Sequence, residues 1–180
     1  YTCRLAFETD GRQSDARTVT FGIREYGYEW HDGIFRLKIN GEPVYVKGGN
    51  WGMSEWLLRC RGEEYDTRVA LHRHMHFNMI RNWIGSTTDE EFYDACDRHG
   101  IMVWDDFWLN SHPNLPHDLG AFQQNAVEKI KRLRNHPSIA VWCGDNEVIG
   151  ATKWYDKERV STYLVNYDRL NRELWRRVEA

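Results

Sequence analysis

From Val46 onward the sequence alternates short, largely apolar runs with stretches at helical spacing, and no other feature constrains the fold as much. Residues 46–51, 77–83, 101–104 and 138–142 read as strands. Between them, 89–99 carries Phe92, Ala95 and Cys96 on one helical face, with Thr88 and Glu91 spaced as a capping box and Gly100 as a stop. Phe122, Ala126, Ile130 and Leu133 mark another helix, and Tyr163, Tyr167, Leu170, Leu174 and Val178 a last one. Strands without a polar face, separated by helices, imply a parallel sheet covered by helices. A (β/α) barrel and an open doubly wound sheet both satisfy this pattern. No Gly-rich phosphate turn follows any strand, which weighs against the nucleotide-binding open sheet. Instead, Asn50-Trp51, Arg81 with Trp83, Asp105-Asp106 and Asn146-Glu147 crowd the carboxyl ends of the strands, where a barrel keeps its chemistry. A closed barrel takes about 250 residues, and 46–180 is roughly half of that. The expected fold is therefore α/β, the first four βα units of a (β/α)8 TIM barrel. Half a barrel leaves strand edges open, to be covered by the remainder of a longer chain or by a homo-oligomer. It should also leave Ile80, Val103 and Val141 exposed for want of an opposite wall.

The amino-terminal part reads differently. Tyr1, Cys3, Leu5 and Phe7 alternate with polar neighbours, Asp10-Gly11 marks a turn, and 18–25 alternates again. Two strands cannot bury a core alone. Phe35, Leu37 and Ile39 then run into Asn40-Gly41, a strong hairpin signal, and 44–46 returns. The chain opens at Tyr1 without an initiator Met or signal-peptide region, so a fragment or processed product is expected.

Composition narrows the function classes. Twenty-four Lys and Arg against 27 Asp and Glu give a net charge of −3, which argues against a nucleic-acid binder. No apolar run approaches the roughly 18 residues of a membrane span. Nine Trp, nine Tyr and seven Phe suit a core, or stacking against sugars or bases. The cysteines (Cys3, Cys60, Cys96, Cys143) have no zinc-type spacing; free thiols are expected, with Cys96 and Cys143 in the core. His72-Arg73-His74-Met75-His76 invites a metal reading. It ends a helix, however, with His72 and His76 one turn apart on a solvated face, so only adventitious zinc or nickel binding is expected there.

The densest segment is Arg134-Asn135-His136-Pro137-Ser138-Ile139-Ala140-Val141-Trp142-Cys143-Gly144-Asp145-Asn146-Glu147. A carboxyl group at the end of that strand should lose solvation, and desolvation prepares it to act as a general acid. Asn146 offers a neutral donor and acceptor for a sugar hydroxyl. The same two residues could equally cap the loop entering the next helix.

This run resembles the acid/base signature of glycoside hydrolase family 2, in the form of its β-mannosidase branch. Four more stretches fall in the family's order: Phe21-Gly22-Ile23-Arg24, Ile39-Asn40-Gly41-Glu42-Pro43-Val44 through Gly48-Gly49-Asn50-Trp51, Phe77-Asn78-Met79-Ile80-Arg81-Asn82-Trp83, and Phe92-Tyr93-Asp94 through Val103-Trp104-Asp105-Asp106-Phe107. The likeness covers roughly residues 20–150. It implies that 1–29 are the terminal strands of an immunoglobulin-like β-sandwich and 30–180 the amino-terminal half of a TIM-barrel catalytic domain. By resemblance Glu147 is the acid/base, and Asn146 binds the sugar 2-hydroxyl. Arg81 sits under the nucleophile, Trp51, Trp83 and Trp142 are aromatic walls, Asp106 is a polar wall group, and Asn50 joins the substrate-binding set. The nucleophile, a second carboxylate on a later strand, lies outside this chain, which by itself is expected to be inactive. The implied activity is that of a retaining exo-β-glycosidase on a glycoside or oligosaccharide, β-mannosidase-like. Exo-β-glucosaminidase or β-galactosidase of the same family is the alternative, and a non-catalytic carbohydrate-binding module the reading from another class. No cofactor, metal, nucleic acid or membrane is implied, and a periplasmic or secreted location is expected over a cytoplasmic one. The sequence departs from the branch at Met53 and Glu55, where a Pro and an Asp are usual, and at Gly85-Ser86-Thr87, in place of a glycine-rich turn.

Overall fold

A computed structural model describes residues 1–52, 60–110 and 116–147, together with Arg172 and Arg176. The helix expected over 163–178, apart from those two arginines, and the departures at Met53 and Glu55 lie outside the described residues.

Three turns organise the first 44 residues. Asp10-Gly11, Asp32-Gly33 and Asn40-Gly41 all hold φ between +51° and +84°. That is the mirror-image turn whose twist matches paired strands. The first joins β1 (Thr2–Thr9) to β2 (Arg12–Thr20), an antiparallel pair exposed along its whole length. The second joins β3 (Tyr26–His31) to β4 (Ile34–Ile39), and the third joins β4 to β5 (Glu42–Val44). The strand expected over 18–25 therefore ends at Thr20, and β3 is an additional strand whose turn signal is Asp32-Gly33. Position 29/30 falls inside β3.

The second half is a parallel sheet in the order β6 (Gly48–Trp51), β7 (Met79–Asn82), β8 (Met102–Asp106), β9 (Ile139–Cys143). Between these strands run α1 (Glu63–His74), α2 (Glu90–His99) and α3 (Leu119–Leu133). Register decides which side chains share a face. Gly49, Ile80, Val103 and Ile139 align across the strands, and Ile80, Val103 and Ile139 are buried with Tyr65, Val69, Phe92, Ala95 and Leu133 of the helices. Ile80 and Val103 are thus fully buried rather than exposed, because their strand parity turns them toward the helices. Val141, on the other face, is half-buried.

That other face is covered at its amino-terminal end by the β3–β5 sheet. Leu37 is buried with Met79, Met102 and Ala140, flanked by Tyr26, Ile39, Val44, Trp104 and Val141. Polar contacts pin this floor. Tyr26 Oη donates to the Pro137 carbonyl (2.9 Å), Tyr28 Oη to that of Ala140 (2.5 Å), and Arg24 Nε to that of Pro137 (3.0 Å). Burial raises both tyrosine hydroxyls above their ordinary pKa. Asn78, at the mouth of β7, accepts from Lys47 N and donates to the Tyr45 carbonyl, locking the entry into β6.

Three local expectations are revised. Helix α2 starts from Asp89, which makes no side-chain cap bond. Its carboxylate is taken by Tyr65 Oη (2.8 Å), and Glu91 lies 3.7 Å from Arg61, so no capping box forms. Among the thiols, Cys60 and Cys96 are fully buried whereas Cys143 is half-buried and donates to the Asp145 carbonyl. The His cluster does not form one solvated face. His72 is half-buried, its ring 5.8 Å from that of Trp51, and His76 has left the helix with φ +60°.

Candidate active site

The carboxyl ends of β7, β8 and β9 bring three expected residues together. Arg81 donates twice to Asp106, from Nε to Oδ1 (3.2 Å) and from Nη2 to Oδ2 (2.8 Å). The same Nη2 donates to Asn146 Oδ1 at 3.0 Å. Alternation explains the meeting. Arg81 aligns with Trp104, and Asp106, two residues on, returns to the same face one step nearer the rim. Asp106 is fully buried, and a paired guanidinium is the partner a buried carboxylate requires. Asp106 Oδ2 also accepts from Ile84 N (3.0 Å), so it holds the turn after β7 as well. Trp104 lies under the guanidinium, 5.4 Å from ring centroid to Cζ, adding a cation–π contact.

Asn146 is 8% exposed and is held from several directions. Its backbone N donates to the Leu109 carbonyl (3.0 Å), and its Nδ2 donates to Asn110 Oδ1 (2.9 Å). Glu147 follows with φ +59° and is exposed, so the desolvation expected of it is not supplied by the described residues.

On the helix side of the same strand end lies a second network. Lys129 Nζ donates to Asp105 Oδ1 (2.8 Å) and to the Asp106 carbonyl (2.9 Å). Asn82 Nδ2 and Tyr93 Oη each donate to Asp105 at 2.9 Å. Burial pushes the Asp105 carboxyl up, against the opposing pull of Lys129 and the donated hydrogen bonds. The Tyr93 hydroxyl is raised well above its usual range, first by burial and then by Asp105. Gly85 closes the gap between the networks at φ +60°, where a Cβ would stand 2.5 Å from the Asp106 carbonyl oxygen and 3.1 Å from Lys129 Nζ.

The aromatic residues divide. Trp51 does not face the rim. It is 5% exposed and packs against Tyr65, Phe92 and His72 beneath the helices, because it shares the parity of Asn82 and Asp105. Trp142 has that same parity and stacks on Phe107 at 5.5 Å. Trp83 is half-buried in the 3-10 turn Trp83–Gly85, directly after β7. Asn50 is exposed and aligned with Arg81. Sequence reasoning missed Asn110 and Lys129. Lys129 had a signal, since it falls within the apolar stripe Ala126, Ile130, Leu133; Asn110, in a loop, had none.

Known proteins share this organisation. The family described as "Glycosyl hydrolases family 2, TIM barrel domain" matches residues 35–170. The mannosylglycoprotein endo-beta-mannosidase of Lilium longiflorum is 40% identical over 149 residues, covering 76% of this chain and 16% of that protein. Beta-mannosidase B of Emericella nidulans is 34% identical over 155 residues, covering 82% of this chain and 18% of that protein. The crystal structure of beta-D-mannosidase from Dictyoglomus thermophilum superimposes with a TM-score of 0.62 at 37% identity, over 76% of this chain and 18% of that one. The chain thus spans under a fifth of the length of each of these three proteins.

Proposed function

This chain belongs to glycosyl hydrolase family 2 and carries residues of its TIM barrel domain, and from that premise we propose that the protein bearing it is a retaining β-mannosidase. In this reading the chain contributes the first four βα units of the barrel. β1 and β2 are a remnant of a preceding immunoglobulin-like sandwich, and the barrel domain takes over at β3. Glu147 protonates the leaving-group oxygen and then activates water, and Asn146 binds the sugar 2-hydroxyl. Arg81 presents positive charge at the floor of the pocket, with Asp106 holding its guanidinium in plane. Trp83 and Asn50 line the rim. A retaining reaction takes a second carboxylate about 5–5.5 Å from the first, supplied by a later strand.

The observation that carries this reading is the junction of Arg81, Asp106 and Asn146 at three adjacent strand ends, immediately before Glu147. The test is hydrolysis of aryl β-mannoside, β-galactoside and β-glucosaminide by the full-length protein and by Glu147→Gln. A preference for the β-mannoside, with a loss of about 10²- to 10⁴-fold in Glu147→Gln, is expected of a missing acid/base. Inactivity of the wild type on all three would overturn it.

A second reading concerns the mode of attack. The lily relative is a mannosylglycoprotein endo-beta-mannosidase, which cleaves within a glycan rather than at its end. An internal β-mannoside in the glycan of a mannosylglycoprotein is the corresponding substrate here, and comparing terminal with internal β-mannosides separates the two modes.

A further inference from the structure

Asn146 is held at both ends of its amide, and the chemistry of the two partners leaves one possible orientation. A guanidinium has donors only, so the atom of Asn146 that faces Arg81 Nη2 at 3.0 Å is the amide oxygen. The nitrogen therefore faces Asn110, whose side chain must present its own oxygen to accept at 2.9 Å. An amide has two N–H groups and two oxygen lone pairs. Arg81 takes one lone pair and Asn110 one N–H, so among the described residues one of each is left.

We propose that Asn110 is a positioning residue. By accepting one N–H of Asn146 opposite Arg81, it fixes the plane of that amide and aims the remaining N–H at a sugar hydroxyl that acts as acceptor. This rests on the reading of Asn146 as the sugar-binding neighbour of Glu147, and adds to it the residue that orients the amide. Arg81 alone would leave the side chain free to swing about a single bond. Asn110 sits on the segment after β8, the same segment that accepts from Asn146 N through Leu109, so backbone and side chain of Asn146 are anchored to one loop.

The test compares Asn110→Ala, which removes the acceptor, with Asn110→Asp, which keeps an oxygen in its place. In the full-length enzyme, kcat/KM is measured on an aryl β-mannoside and on its 2-deoxy counterpart. Asn110→Ala is expected to lose about 10-fold on the hydroxylated substrate, changing less than about 2-fold on the deoxy one. Asn110→Asp should recover most of the loss. Equal losses on both substrates, or no recovery in Asn110→Asp, would overturn the proposal, since a residue that merely holds the loop gives those results. A second readout does not depend on turnover: exchange, by NMR, of the one Asn146 side-chain N–H that faces Asn110. Slow exchange in wild type and Asn110→Asp with fast exchange in Asn110→Ala supports the clamp, and fast exchange in wild type overturns it. A protected amide in a protein inactive on every β-glycoside would instead defeat the glycosidase reading and leave the clamp standing.

Discussion

Asp105 and Asp106 are neighbours in the chain, face opposite sides of the sheet, and each is fully buried with its own cation: Lys129 at 2.8 Å from Asp105, Arg81 at 2.8 Å from Asp106. Period-two alternation at the end of β8 puts one carboxylate among the helices and the other at the rim. The Lys129 ammonium bridges them, since it also donates to the Asp106 carbonyl. The helix-side pair braces the strand end from which the rim pair works.

The helix-side pair should behave as a stability element. Asp105→Asn leaves a buried ammonium without its counter-charge and is expected to cost about 3–5 kcal/mol, read as a lower urea midpoint. A double change, Asp105→Leu with Lys129→Met, removes both charges and should cost less than the sum of the two single changes. Additivity in that double-mutant cycle would refute the coupling.

The rim pair should behave as a functional element. Arg81→Lys keeps the charge but loses the two-pronged grip on Asp106 and the contact to Asn146. An activity loss on the order of 10²-fold is expected, with far-ultraviolet dichroism unchanged, because a misplacement of about 1 Å at a reacting centre costs that much. Full activity in Arg81→Lys would show that the bidentate geometry is dispensable.

Two glycines are expected to resist change for separate reasons. Gly85→Ala forces a left-handed φ of +60° on alanine and drives a Cβ to 2.5 Å from the Asp106 carbonyl oxygen. A loss of about 1–3 kcal/mol follows. Gly48→Ala meets the Met79 carbonyl oxygen at 2.0 Å, which would part β6 from β7. Thermal melts check both, with Gly11→Ala as a control, where a Cβ meets nothing within 4 Å and only the φ of +72° opposes it.

His136 should make stability depend on pH. Burial lowers its pKa, but the hydrogen bond and charge of Asp97, with Glu90 and Asp94, outweigh that and raise it. Nδ1 lies 2.7 Å from Asp97 and Nε2 3.2 Å from Glu90, which is itself paired with Arg132. The Tyr93 ring stands 5.4 Å away, and Arg24 Nη2 donates to the His136 carbonyl at 3.5 Å. A raised folded-state pKa stabilises most below the unfolded value of about 6.5, and that stability is lost as pH rises through the folded value. The unfolding free energy should therefore fall from pH 6 upward in wild type more steeply than in His136→Gln. Equal slopes would exclude His136 as the titrating group.

What the sequence determined by itself was local. The X-Gly turns, the helix over 89–99 with its stop at Gly100, the helix carrying Phe122 to Leu133 and the polar strand ends all follow from spacing and residue type within a few positions. The rim set Arg81, Asp106 and Asn146 was legible for the same reason: each lies at, or within three residues past, the carboxyl end of an apolar run. Tertiary structure alone decided the parity of each strand. In a run apolar on both sides, hydrophobicity carries no period-two signal, so which side chain faces which layer waits on the register of pairing. Hence Trp51 lies under the helices rather than at the rim, and Ile80 and Val103 are buried where exposure was expected. The β3–β5 floor likewise depends on contacts between residues more than 100 positions apart, such as Tyr26 with Pro137. Asn110 belongs to the same class. A lone polar residue in a loop has no pattern to be read from, and its partner is chosen by where the chain brings it in space.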